Sequence, residues 1–334
     1  MKIQLPKISI VIPVYNVENY ITECLQSVMR QTYSGEMECI LVDDCGQDNS
    51  IGIAEKMLSK YNGPISFQIV HRTQNGGLSA ARNSGTKVAT GEYIYYLDSD
   101  DYISGDCLSI LAEPLKKAKY DMVIGNYETF GDYQVQSLLF EQQNEVLSNE
   151  NIFHELSERQ LPVTAWNKLC NRVFLEDNGI DFLDGQLHED DLWTYKICLC
   201  ATKIAIQKQV TYFYRQRNNS IVYDTKIKSK QRFESVFKTV NYILNHNGSV
   251  NSNDHERCAL TYIGKCLSYA IDGDFEFYKE YKDIRKQFKY HPFCFFLQRK
   301  ITPLDFKRTF HYALPPIIGY SYFLLRRMKA HKKS

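Results

Sequence analysis

Asp98 and Asp100 stand one residue apart, directly after the apolar run Tyr93-Ile-Tyr-Tyr-Leu97. Two carboxylates so spaced in a strand-end turn can hold a hard divalent cation, with phosphate oxygens completing its shell. An acidic turn can equally be a solvated strand cap, but a position after a buried strand favours the metal. Asp43 and Asp44 repeat the theme, where a carboxylate can accept hydrogen bonds from a base imide or a ribose hydroxyl. Helix capping by Asp48 or Ser50 accounts for Asp48 and leaves 43 and 44 unexplained. In Asn75-Gly-Gly77-Leu-Ser-Ala-Ala-Arg82-Asn83 the glycines permit close backbone approach, Ser79 can cap a helix, and Arg82 can face a phosphate or a base. An ordinary glycine turn before a capped helix is the plainer reading. His188-Glu-Asp-Asp191 precedes a helical pattern in which acids suit the helix dipole. A carboxylate there, beside Trp193 and Tyr195, also has the raised proton affinity of a general base. Arg215 and Arg217 follow a strand ending at Tyr214 and can either neutralise phosphate or lie in solvent.

Several classes are excluded. No G-x-x-x-x-G-K-[S/T] and no G-x-G-x-x-G occurs, which argues against a Walker NTPase and a Rossmann dehydrogenase. A length of 334 with 44% apolar and 24% charged residues is globular and large enough for one large or two medium domains. A net charge of +1 gives no reason to expect a nucleic-acid partner. The average hides an asymmetry: from Arg299 to Ser334 there are nine Lys/Arg and one acid, Asp305. A basic end on an acidic body points to an anionic surface partner. The ten cysteines form no Cys-x-x-Cys pair, so neither a zinc ribbon nor a disulfide framework is supported, and Cys198 and Cys200 read as helix core. The opening stretch is interrupted by Pro6 and Pro13, unlike a signal peptide, and no run reaches the roughly 18 apolar residues of a membrane span. A cytoplasmic location is expected.

These residues must be positioned by alternating elements. The patterns predict strands at Ile8–Val14, Met37–Val42, Ile65–Val70 and Tyr93–Leu97, with helices at Asn19–Gln31, Ser50–Lys60 and Ser79–Ala89. Such alternation implies an α/β fold with a mostly parallel sheet, whose ligand sits beyond the carboxyl ends of the strands. All four strand ends are polar there. Farther on, 134–151 reads as loop, Asp181–Asp191 as an acidic turn, Leu192–Ala201 as helix, Val210–Tyr214 as strand and Lys228–Tyr281 as helical.

Together these segments resemble family 2 glycosyltransferases of the GT-A fold. The resemblance rests on Ile8-Ser-Ile-Val-Ile-Pro-Val-Tyr-Asn16, Leu41-Val-Asp-Asp44 with Asp48, Asn75-Gly-Gly77, Ala81-Arg-Asn83, Gly91-Glu-Tyr-Ile94 and Leu97-Asp-Ser-Asp-Asp101. It is specific to about residue 130 and extends less specifically to Ser220. It implies that Pro13, Tyr15 and Asp44 line the nucleotide base, that Arg82 reaches base or diphosphate, and that Asp98 contacts ribose. Asp100 would bind Mg²⁺ or Mn²⁺, and Asp190 would be the acceptor-side base. The implied donor set is Pro13, Tyr15, Asp43, Asp44, Asn75, Gly77, Arg82, Asp98, Asp100 and Arg217, with Asp98 and Asp100 the metal pair. Two departures stand out. Cys45-Gly46 replaces the more usual Gly-Ser, and the extra acid Asp191 splits the base assignment between Asp190 and Glu189.

The function so implied is an inverting, metal-dependent transfer of a sugar from a nucleotide-sugar donor, a UDP-sugar, to a hydroxyl of a glycan or lipid-linked acceptor in bacterial capsule or lipopolysaccharide-type synthesis. Trp166 and Lys168 would shape the sugar pocket. A sugar-nucleotide pyrophosphorylase would carry a Gly-rich basic loop after its first strand, unlike Pro13-Val-Tyr-Asn16. A catalytically silent carbohydrate-binding protein would have no need of Asp98, Asp100, Glu189 and Asp190 together. Residues 1–225 are expected to form the catalytic domain, with a nucleotide-sugar half at 1–130 and an acceptor half at 131–225. Residues 226–334 would form a helical C-terminal region. Its tail, apolar and aromatic from Phe306 to Leu325 and then basic at Arg326, Arg327, Lys329, Lys332 and Lys333, either packs on the protein or lies peripherally on a membrane.

Overall fold

The structure, a computed structural model, describes residues 5–132, 146–217, 229–246, 248, 250–273, 277–287, 306 and 310–331. The sequence readings at 134–145, 218–228, 332 and 333 lie outside those residues. The chain forms two compact units. The first comprises 1–152, 163–185 and 189–218; the second takes 153–162, 186–188 and 219–334.

The first unit is a nine-stranded sheet flanked by helices. Its strands are β1 (Ile8–Val14), β2 (Met37–Asp43), β3 (Ser66–His71), β4 (Tyr93–Tyr96), β5 (Tyr102–Ile103), β6 (Met122–Gly131), β7 (Val146–Ser148), β8 (Lys168–Asn171) and β9 (Lys203–Gln216). They lie in the order β3-β2-β1-β4-β8-β6-β9-β5, with β7 added on β9. β1 pairs in parallel with both β2 and β4, and β2 with β3. All seven β1 residues are buried, as suits a strand that is Ile or Val at five of its seven positions and lies between two parallel neighbours. The other half is mixed: β8 runs antiparallel to both β4 and β6, while β6 and β9 are parallel.

Helix α1 (Ile21–Met29) lays Ile21, Cys24, Leu25 and Val28 on the core, the face its spacing predicts. The next helices are α2 (Ser50–Leu58), α3 (Gly77–Val88) and α4 (Cys107–Ala112). Gly85 lets α3 lie directly on β1, because a Cβ there would run into Val11. β9 is far longer than the expected Val210–Tyr214. Its first half carries Gln207, Lys208 and Gln209, and its register with β6 shifts around Asn126, which breaks the alternation a strand reading relies on. After α5 (Glu150–Ser157) and α6 (Arg172–Asp177), α7 runs Glu189–Cys200, so the acids expected in a turn form its first turn.

The second unit is helical: α8 (Ser229–Asn245), α9 (Ser252–Gly273), α10 (Tyr278–Gln287) and α11 (Pro316–His331). Phe277 anchors it, with rings of Phe233, Tyr320 and Phe323 at 5.2, 5.7 and 4.9 Å. Gly319 permits the approach of α11 to the His311 carbonyl, which any side chain there would strike. Among the described residues no helix is long and apolar enough to cross a membrane.

Candidate functional site

The carboxyl ends of β1, β2, β3 and β4 are knitted into one rim. Asp44 donates its backbone N–H to the Val14 carbonyl, and Arg72 does the same to Asp43. Asn16 and Cys45 sit on this rim with positive φ of 53° and 60°, a conformation costly for non-glycine residues and held by the surrounding structure. Pro13 is buried in β1, whereas Tyr15 is 47% exposed and Asn75 is exposed.

The paired acids have separate partners. Asp43 accepts from the Cys45 backbone N–H at 3.1 Å and meets the His71 ring at 2.9 Å. Asp44, 2% exposed, takes the backbone N–H of Gly76 and Gly77 at 3.0 and 2.8 Å and pairs with Arg72 at 3.2 Å. It is therefore Asp44, from a neighbouring strand end, that caps α3 and satisfies N–H groups with no helical partner. Ser79 does not cap. It lies inside the first turn, and its buried hydroxyl has no hydrogen-bond partner. Gly77 has a φ of +80°, which a side chain would strain.

Arg82 links the two acidic clusters. Only 2% exposed, it donates through Nη2 to Asp98 at 2.7 Å and through Nη1 to Glu189 at 2.6 Å, with Phe182 beneath the guanidinium at 5.2 Å. Burial opposes its charge, but Asp98 and Glu189 outweigh that and hold its pKa above the ordinary value. Arg82, read from sequence as reaching base or diphosphate, is held here between Asp98 and Glu189. Its neighbour Asn83 holds the 181–185 turn, donating to the Phe182 carbonyl at 2.7 Å and accepting its N–H at 3.0 Å.

Asp98, Asp100 and Asp101 crowd the end of β4. Burial pushes the Asp100 carboxyl above its usual value, Arg217 pulls it back, and repulsion from Asp98 adds to the rise. Arg217 pairs with Asp100 at 2.7 Å. Arg215 donates Nε to the Asp100 carbonyl at 2.9 Å and its backbone N–H to Asp101 at 2.7 Å, and also bonds Glu23. The Tyr20 ring lies under both guanidinium groups, at 5.1 and 5.2 Å. Asp101, 1% exposed, accepts from the Tyr212 hydroxyl at 2.5 Å. Burial, then Asp100 and Asp98, raise its pKa well above the ordinary carboxyl.

Glu189 is committed to Arg82, while Asp190, one residue on in α7, accepts the Asp191 N–H at 3.0 Å and is half-buried. Lys168 is wholly buried, donating to the carbonyl and hydroxyl of Thr164. Burial lowers its pKa to about 8, with Asp190 among the groups pulling it back up. Trp166 is 7% exposed and stacks on Tyr212 and Tyr214 at 4.3 and 5.3 Å. Both residues, read from sequence as shaping the sugar pocket, are buried. Sequence reasoning missed Arg72, Tyr20 and Tyr212 as parts of the site; only Arg72, just past a strand end, offered a local signal.

Carboxylate oxygens at 98 and 100 suit a hard divalent cation. No group of three or more metal-ligating side chains forms among the described residues, so further ligands would have to come from substrate or water.

A large mixed sheet with helices on its faces, carrying an acidic cluster past its fourth strand, defines a GT-A glycosyltransferase fold. Residues 9–178 match the family description Glycosyl transferase family 2, and the chain belongs to that family. It is 30% identical over 224 residues to glycosyltransferase GlyG of Streptococcus pneumoniae serotype 4, covering 64% of this chain and 72% of that one. It is 32% identical over 238 residues to the poly(ribitol-phosphate) beta-N-acetylglucosaminyltransferase TarS of Staphylococcus aureus, covering 70% of this chain but only 40% of TarS. The structure of TarS 1–349 in complex with UDP-GlcNAc superposes with a TM-score of 0.70 at 22% identity, over 92% of this chain and 90% of that one. A mannosyltransferase from Pyrobaculum calidifontis in complex with GDP-Man and Mn²⁺ superposes at 0.56 and 14% identity, over 96% and 87%.

Proposed function

We propose that this glycosyltransferase moves a sugar from a UDP-sugar to a hydroxyl of a glycan or lipid-linked acceptor in cell-surface polysaccharide synthesis. The observation that carries the reading is Arg82, which joins a donor-side carboxylate, Asp98, to the first turn of α7, where Asp190 lies. The UDP-GlcNAc complex of TarS supports the donor class. Tyr15, Asn75 and the Gly76-Gly77 turn form the rim toward the nucleotide, with Asp44 holding that turn in place.

Asp190 is the general base: it takes the proton of the acceptor hydroxyl as that oxygen bonds the anomeric carbon. The bond from that carbon to the diphosphate breaks in the same displacement, the pair of electrons leaving with the nucleoside diphosphate, so configuration inverts. Asp98 and Asp100 would hold Mg²⁺ or Mn²⁺, which neutralises charge on the departing diphosphate when bound. Arg217 and Arg215, now on the Asp100–Asp101 segment, lie where they can add to that neutralisation. The catalytic domain is assigned to 1–225. A lipid-linked acceptor would bring this cytoplasmic chain to the membrane's inner face, which the basic tail suits.

The test is a thermal-shift screen of UDP, GDP, dTDP and CMP with and without Mn²⁺, beside Asp100→Ala. Stabilisation by UDP that needs both metal and Asp100 is expected. No shift with any nucleotide in folded protein would replace the enzyme with a silent carbohydrate-binding protein.

A further inference from the structure

Helix α11 is apolar on two opposite faces. Gly319, Tyr320 and Phe323 are buried in the second unit, Tyr320 at 8% and Phe323 at 1% exposure. On the other side Ile317, Ile318, Leu325 and Met328 are 73, 57, 58 and 58% exposed, with exposed Ser321 between them. Their spacing of three and four residues makes one face, about 17 Å long at 1.5 Å per residue. A surface helix normally turns charged and polar residues outward. Among the described side chains of this outward face none is charged, and contiguous exposed apolar surface of this kind marks an interaction site.

We propose that this face of α11 lies in the surface of an anionic lipid bilayer, with the helix axis parallel to the membrane. The proposal deepens the reading of a membrane-suited tail and rests on it, not on the donor chemistry. Charge chooses the occupant. The helix ends in Arg326, Arg327 and Lys329 without a single acid, and the last 36 residues hold nine Lys/Arg against Asp305 alone. A second copy of the chain would bring like charges together, whereas a bilayer rich in anionic headgroups pairs with them and takes the apolar side chains below the headgroups. The helix is 16 residues long, roughly 24 Å at 1.5 Å per residue, too short to cross a hydrocarbon core of about 30 Å. An in-plane position suits that length.

The full chain is sedimented with vesicles of phosphatidylcholine alone or with about a third phosphatidylglycerol, at low salt and at about 0.5 M salt, where screening shrinks the electrostatic reach. Binding to the anionic vesicles is expected, with a several-fold loss in high salt. Ile317→Glu/Leu325→Glu should lose at least about five-fold of the bound fraction while keeping its melting temperature and nucleotide response. The milder Ile317→Ser should fall between. Equal binding by wild type and variants, equal binding to both vesicle types, or no binding to either would overturn the proposal. So would a soluble dimer that Leu325→Glu splits, since a second copy would then cover the face. Because nucleotide response is read separately, failure here leaves the donor-site reading standing, and failure there leaves this one.

Discussion

Arg82 and Glu189, 107 positions apart in sequence, share a 2.6 Å hydrogen bond in the interior, and through its second Nη the same guanidinium holds Asp98 at 2.7 Å. One buried cation thus joins Asp98, past the end of β4, to the helix that carries Asp190. Glu189 is thereby taken up by Arg82, which is why the proposed general base is its neighbour Asp190.

Replacing Arg82 by Met should therefore be severe. Two largely buried carboxylates would lose their cation, a loss of about 3–5 kcal/mol by the usual cost of breaking a buried pair. Arg82→Lys should fail to restore stability, because one ammonium cannot fork between two partners. Urea unfolding decides; near wild-type stability for Arg82→Lys would contradict the bridging role.

Asp100→Asn keeps the side chain's shape and gives up one charge-assisted bond to Arg217. We expect a fall in melting temperature of only a few degrees, about 1 kcal/mol in a domain of this size, with turnover down at least about a hundredfold. Sugar transfer measured on the soluble, folded variant is the check. Undiminished turnover would remove Asp100 from the donor site.

Asp44→Ala should cost about 1–3 kcal/mol, since two N–H groups at the start of α3 and the Arg72 guanidinium lose their acceptor. Hydrogen exchange at Gly76 and Gly77 should accelerate, while exchange in the β1 strand interior stays slow.

Lys168 supplies a pH test. Its folded pKa of about 8 lies below the ordinary 10.5, so between those values the unfolded chain binds more protons and stability rises with pH. From pH 7 to 9 its contribution should grow by about 1 kcal/mol. Lys168→Met, which replaces a buried cation with an apolar chain of similar length, should lack that rise. The wild-type-minus-variant difference in unfolding free energy isolates it from buried Tyr and Cys groups such as Tyr95 and Cys24, whose burial-raised pKa values work in the opposite sense.

What could be read from the amino-acid sequence was local. Ile8–Val14 announces a buried strand by composition, α1 by its three-and-four spacing, and the polar residues after each strand mark the rim, because strand and helix periods are properties of short windows. The family resemblance lay in those same short motifs. The tertiary structure decided how the acids are divided. Asp44 caps α3 and Glu189 serves Arg82, although neither assignment can be seen from its neighbours in sequence. β8 enters antiparallel between β4 and β6, and which face of α11 stays exposed depends on Tyr320 and Phe323 finding Phe277. Each of these rests on contacts between residues far apart in the chain, where pairing is chosen by burial and charge rather than by any repeat that a window of sequence contains.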